Sequence, residues 1–213
     1  MLLSRSYSVV PSEPTLSRAP HMNRIIALVI GSFVAATDLV APADAKLSES
    51  LGAQTVRPGP DPEHARLVAM AGTWDVEMTF WFKPGTPGIT SRATSTIRPL
   101  FDGLFVEEKI EGTLNGTPFT TLAWTGFNTA THLYEATRIA STNSARIAET
   151  GAWDEQARRF ELKATYPLAG DTWTQRTVIQ PTSPDAMVAA SYLSFGAVPE
   201  WKAVEIKYVR RSK

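Results

Sequence analysis

The chain reads as an all-β protein: an up-and-down antiparallel barrel of about ten strands, preceded by one short helix. Three observations carry this. From residue 74 onward apolar and polar residues alternate with period two. The alternating runs are separated by short turn-forming stretches such as Asp102-Gly103 and Asn115-Gly116. No segment between them is long enough for a crossover helix, so consecutive strands must pair antiparallel. Ten such strands in an open sheet would leave two long edges, and closing the sheet removes them. Two stacked sheets are the competing arrangement.

The elements follow in order. Residues 62–70 (PEHARLVAM) form the helix, with Pro62 at its start and Gly72 just past its end, as helix termini prefer. In the first strand Trp74, Val76, Met78, Phe80 and Phe82 alternate with Asp75, Glu77 and Thr79. Residues 90–100 are Thr-rich and extended, and Asp102-Gly103 turns into a strand over 104–112. Asn115-Gly116 is the strongest hairpin signal in the chain, and this turn role accounts for the sequon Asn115-Gly116-Thr117. Strands over 119–127 and 132–140 form the next pair, and those over 146–153 and 158–165 pair across Asp154-Glu155-Gln156. Residues 172–180, 186–193 and 201–210 complete the set.

Composition bounds the function. Hydrophobic residues at 43% and charged residues at 20% exclude disorder over the whole length. Twenty-one basic groups balance 21 acidic ones, so no charge-driven nucleic-acid partner is expected. The absence of cysteine excludes disulfides, a thiolate nucleophile and Cys-ligated zinc.

Residues 1–45 read as a leader. Arg24 follows Met22, Ile25 to Ala36 is an unbroken apolar or small run, and Ala43-Asp44-Ala45 is a small-x-small cleavage pattern. Residues 22–45 are therefore expected to be a secretory signal peptide cleaved before Lys46, with a periplasmic or secreted product. The apolar run is short of the about 20 residues a bilayer requires, so no membrane span is expected after cleavage. Residues 1–21 lie upstream of the favoured start at Met22. Arg5, Arg18 and Arg24 balance Glu13, Asp38 and Asp44, so the mature chain stays neutral. Residues 46–62 carry Pro58, Pro60 and Pro62 and read as a linker, leaving residues 63–213 for the barrel.

Residues Leu67 to Trp74, a short helix followed by Gly72-Thr73-Trp74 and a strand, resemble the opening of lipocalins and the wider calycin superfamily. That resemblance implies that Trp74 closes the barrel base beneath a cation from the last strand. Val204, Ile206, Tyr208 and Arg210 share a face there, which makes Arg210 the cation and both residues structural. More narrowly, Gly72-Thr73-Trp74, residues 101–108 (FDGLFVEE), residues 124–128 (WTGFN) and residues 204–210 (VEIKYVR) resemble, in order, a bacterial family catalogued as domain of unknown function number 1579. The resemblance implies a barrel and no particular activity.

Candidate site residues are few. His21, His64 and His132 show no metal-ligand spacing, so no preformed zinc or iron site is expected. No cofactor is expected either, with a haem held by a single His, as the calycin resemblance allows, the alternative left open. There is no nucleophile elbow, phosphate loop or dinucleotide fingerprint. Glu108 shares a face with Val106 and Ile110 and is expected inside the barrel, where a carboxylate needs a partner. Arg176 is the leading candidate, with Tyr134, Arg138 and Tyr192 also within reach of the lumen. Phe80, Trp124, Tyr134 and Trp173 are candidate cavity walls, and Trp81 is placed at the barrel mouth or a homodimer contact.

Three functions remain open on these residues. The first is binding of a small, partly apolar molecule, with Phe80, Glu108, Trp124, Tyr134, Trp173, Arg176 and Tyr192 as contacts. The second is an isomerase or lyase using Glu108 as general acid or base. The third is a non-catalytic interaction module.

Overall fold

The computed structural model describes residues 60–212. The leader expected over residues 1–45 and most of the linker expected over residues 46–62 lie outside the described residues. Helix α1 (Pro62–Val68) leads into β1 (Gly72–Phe80) and β2 (Ile89–Leu100). A 3-10 turn (Phe101–Gly103) precedes β3 (Phe105–Leu114), β4 (Thr117–Asn128) and β5 (Leu133–Ala140). The chain continues through β6 (Ile147–Asp154), β7 (Arg159–Leu168), β8 (Asp171–Ser183), β9 (Ala186–Phe195) and β10 (Val198–Arg210). Every strand pairs antiparallel with its sequence neighbour, and β1 pairs with β10, so the sheet closes into an up-and-down barrel. Among the described residues no helix is long and apolar enough to cross a membrane.

Helix α1 is short, and tertiary contacts hold it. Asp61 caps it by accepting from the Glu63 and His64 amides at 3.0 and 3.1 Å. His64 Nδ1 in turn accepts from the Asp61 amide at 3.1 Å, and the ring packs edge-on against Phe127. His64 is thereby part of the cap and the core. Leu67, 1% exposed, buries the inner side of α1 against the barrel end, a burial that contributes about 1.5–3 kcal/mol.

Beneath α1 lies an aromatic layer. Tyr134 and Phe160 meet at right angles, 4.9 Å between ring centres, with Trp153 at 4.8 Å from Phe160. Tyr134 donates to Glu63 Oε2 at 2.5 Å, tying β5 to the helix. Burial, and then the adjacent Glu63, push its phenol above the ordinary range.

The expected closure of the base is present. Trp74 faces Arg210 across the β1–β10 pair, and the guanidinium stands 4.1 Å from the indole centre. Such a contact contributes about 0.5–2 kcal/mol. The Trp74 indole donates to Met70 O at 3.1 Å, and Arg210 donates to the Ala71, Ala69 and Pro184 carbonyls. Gly72 is obligatory here for two reasons. Its φ of +147° disfavours any side chain, and a Cβ would overlap Arg210 Nη1.

The opposite mouth differs from a plain strand end. A register shift lies between Lys202 and Val204 of β10, and such a bulge re-aims the residues around it. Trp201 here packs at 6.1 Å from both Trp173 and Phe195.

Candidate functional site

The strands carry small residues on their inner face midway along the barrel. Ala123 on β4, Ala136 on β5, Ala164 on β7 and Ala189 on β9 are all buried. Small inner residues leave volume for longer neighbours, and charged and polar side chains use it. Glu108 on β3 and Arg138 on β5 flank Ala123. Glu149 on β6 sits opposite Ala136, and Thr177 on β8 sits between Leu162 and Ser191.

These groups form a belt across the lumen. Ser95 donates to Glu108 Oε1 at 2.8 Å. The Tyr208 hydroxyl also lies on Glu108, and burial followed by that carboxylate raises its phenol well above the ordinary range. Glu149 is 1% exposed; its Oε1 accepts from Thr177 at 2.5 Å and from Gln175 at 3.1 Å. Gln175 Oε1 accepts from Tyr166 at 3.1 Å, which extends the belt by one more residue. Burial of Tyr166, then the nearby Glu149, raises its phenol too.

Arg138 is the belt's cation. Burial disfavours its charge, but Glu149 and Glu108 outweigh that and hold it firmly protonated. Its nearest acidic atom is Glu149 Oε2, 3.7 Å from Nη2. That is an ion pair but not a hydrogen bond. Among the described residues none accepts a hydrogen bond from Arg138, and Glu149 Oε2 is buried with no hydrogen-bond donor.

A cavity of about 60 Å³ adjoins this belt. Glu108, Arg138, Thr177, Ser191 and Tyr208 form its polar side. Ile97, Val106, Ile110, Leu162, Ile179 and Ile206 are among its apolar walls. The Arg138 side chain is 24% accessible, and it lines this cavity.

The residues expected to meet in the lumen are largely dispersed. Glu108 points inward as its parity implied, and of the seven nominated contacts it alone lines this cavity. Arg176 is not its partner. It lies on the outer face, donating to Glu200 at 3.0 and 2.7 Å and stacking 4.1 Å over Tyr192, which is also outside. Trp124 faces outward as well, donating to Glu107 Oε2 at 2.9 Å. Tyr134 is buried in the aromatic layer under α1. Phe80 packs against the core and stacks on Phe82, and Trp173 stacks on Phe195 at 4.2 Å at the mouth. Trp81 also belongs to the mouth, where its carbonyl accepts from Trp201. Arg138, weighed only as a partner for Glu108, proves central.

Glu149 was not singled out by sequence reasoning. A signal existed: Ile147, Glu149, Gly151 and Trp153 share one parity. Among the described residues no group of three or more His, Cys, Asp or Glu side chains is arranged to hold a metal ion.

Fold and belt together define a closed antiparallel β-barrel with a polar, partly unpaired interior. A family model described as "Protein of unknown function (DUF1579)" matches residues 59–210, and the chain belongs to that family. No curated protein matches the chain. Among solved structures it is similar to the S-type phycobiliprotein lyase CPES from Guillardia theta, at 12% identity and a TM-score of 0.46, covering 73% of this chain and 99% of that one. It is also similar to a redesigned β-barrel, at 18% identity and a TM-score of 0.37, covering 70% and 96%.

Proposed function

We propose that this protein is exported and binds a small, partly apolar molecule inside its barrel. The observation that carries the binding reading is the cavity of about 60 Å³ with aliphatic walls on one side and Glu108, Arg138 and Tyr208 on the other. Ligand sites combine these features, an apolar enclosure and a few fixed polar groups. Volume sets the scale. An apolar cavity of about 150 Å³ takes up benzene, so the occupant here is smaller, a body of a few heavy atoms. The export reading rests on the apolar run and small-x-small pattern of residues 22–45.

Two measurements test the binding reading on the full chain. Native mass spectrometry of protein taken directly from expressing cells should show a small adduct that organic extraction removes. Xenon at a few atmospheres should shift the methyl resonances of Ile97, Val106 and Ile110. No adduct and no xenon response would remove the binding reading. Amino-terminal sequencing of the periplasmic fraction tests export, and a mature chain starting at Lys46 is the expected result.

A further inference from the structure

The belt also indicates what chemistry the occupant carries. Inside the lumen one guanidinium serves two carboxylates, Glu108 and Glu149. Those carboxylates are not equally provided for. Glu108 holds the Ser95 hydroxyl at 2.8 Å and the Tyr208 phenol. Glu149 has both its donors on Oε1, while Oε2 has none. Arg138 lines the cavity with five N–H donors, none of them in a hydrogen bond to the described residues.

Buried donors and acceptors without partners are costly, and charged ones more so. A ligand that supplies an acceptor to Arg138 relieves the deficit on the cation; of the two carboxylates only Glu108 lines the cavity, so a ligand donor meets Glu108 there. An anion meets two carboxylates at close range. A cation meets the guanidinium. Either ion must also leave its own hydration behind, a loss that a belt already carrying both signs repays poorly. A neutral group bearing both a carbonyl oxygen and an N–H avoids both problems.

We infer that the lumenal site is selective for a small neutral carboxamide or urea, its carbonyl oxygen accepting from Arg138 and its N–H donating to Glu108, with any alkyl part against Val106 and Ile110. This rests on the binding reading above and names the ligand class of the same cavity.

Acetamide, acetate and acetamidinium test it. The three are planar, have four heavy atoms each and differ in charge. Fragments of this size bind weakly, so titration by heteronuclear NMR runs to on the order of 100 mM. The expected result is saturable shifts at Arg138, Ala123 and Ser191 with acetamide, at least tenfold tighter than with either ion. In Arg138→Gln, which keeps an amide donor but removes the charge, the neutral-over-anion ratio should fall several-fold while the xenon response persists. Should Arg138→Gln fail to fold, Ser191→Val narrows the polar wall and should weaken acetamide without abolishing xenon uptake.

Equal or tighter binding of acetate overturns the inference, as does equal or tighter binding of acetamidinium. A xenon response with no saturable acetamide shift overturns the ligand class and leaves the cavity reading standing. Silence towards xenon and all three fragments removes both.

Discussion

The closed end of the barrel and its belt each hold a guanidinium, and they differ in how fully it is paired. Arg210 lies over the Trp74 indole and donates to three backbone carbonyls, with Asp185 3.2 Å from its Nε. Arg138 has Glu149 at 3.7 Å and no hydrogen bond among the described residues. A cation saturated by the main chain is part of the scaffold, because it has nothing left to offer a visitor. A cation with spare donors inside a barrel can still take an acceptor. Pairing, more than burial, separates scaffold from candidate site in this molecule.

Trp74→Ala probes the saturated end and should have the largest effect. It empties a 2%-exposed position and deprives Arg210 of its indole. Such truncations cost about 3–5 kcal/mol, read from urea unfolding. Glu149→Ala probes the belt and should cost less, about 1–3 kcal/mol, through the lost acceptor for Thr177 and Gln175. Replacing Glu149 and Arg138 together by Met should recover most of that loss, since apolar substitutes for buried pairs are often neutral or better. A belt variant as damaging as Trp74→Ala would break the comparison and make the belt a second scaffold.

Alkaline pH sharpens it. The Tyr208 phenol is raised by burial and by Glu108, so the folded state holds its proton more tightly than the ordinary value of 10.0. The stability this contributes is present below pH 10.0 and is lost as pH rises towards the folded value. Tyr208→Phe should cost about 1 kcal/mol at neutral pH and flatten the alkaline decline in unfolding free energy.

The smallest effect is expected on the outside. Arg98 bonds to Glu107 and lowers its pKa; burial opposes this and Trp124 assists. Stability from this depressed carboxyl is present above the ordinary 4.5 and is lost as pH falls through the folded value. Arg98 is largely exposed, so Glu107→Gln should change stability by less than about 1 kcal/mol. The same substitution should shift Trp124 fluorescence, which would confirm that this indole is outside the lumen.

The fold was legible because strand alternation, hairpin turns and the Gly72-Thr73-Trp74 entry all pointed to one arrangement. The site was only half legible, and the misreadings have a common cause. On β8 the inner residues on either side of Arg176, Gln175 and Thr177, are both polar, the inner apolar Ile179 comes only further along, and Val178 lies with Arg176 on the other face. Judging the inward face by its apolar member therefore brought Arg176 inside. On β4 the inner Ala123 is smaller than its outward neighbours Leu122 and Trp124, so an aromatic ring taken as a cavity wall stands on the outer face. The rule assumes that large apolar groups fill the interior. It fails along the belt, where small and polar residues make room for charges, so the errors cluster around the site itself. Glu108 escaped the error because Val106 and Ile110 bracket it inside an ordinary apolar face.

The β1–β10 seam sets the first strand against the last, Trp74 opposite Arg210 and Phe80 opposite Val204. During synthesis the wall stays incomplete until nearly the whole chain exists, because its final stave emerges last. Contacts so distant in sequence form slowly. Until the ring joins, the interior is an open trough rather than a chamber, and whatever resides there afterwards could enter from the side without passing the aromatic mouth.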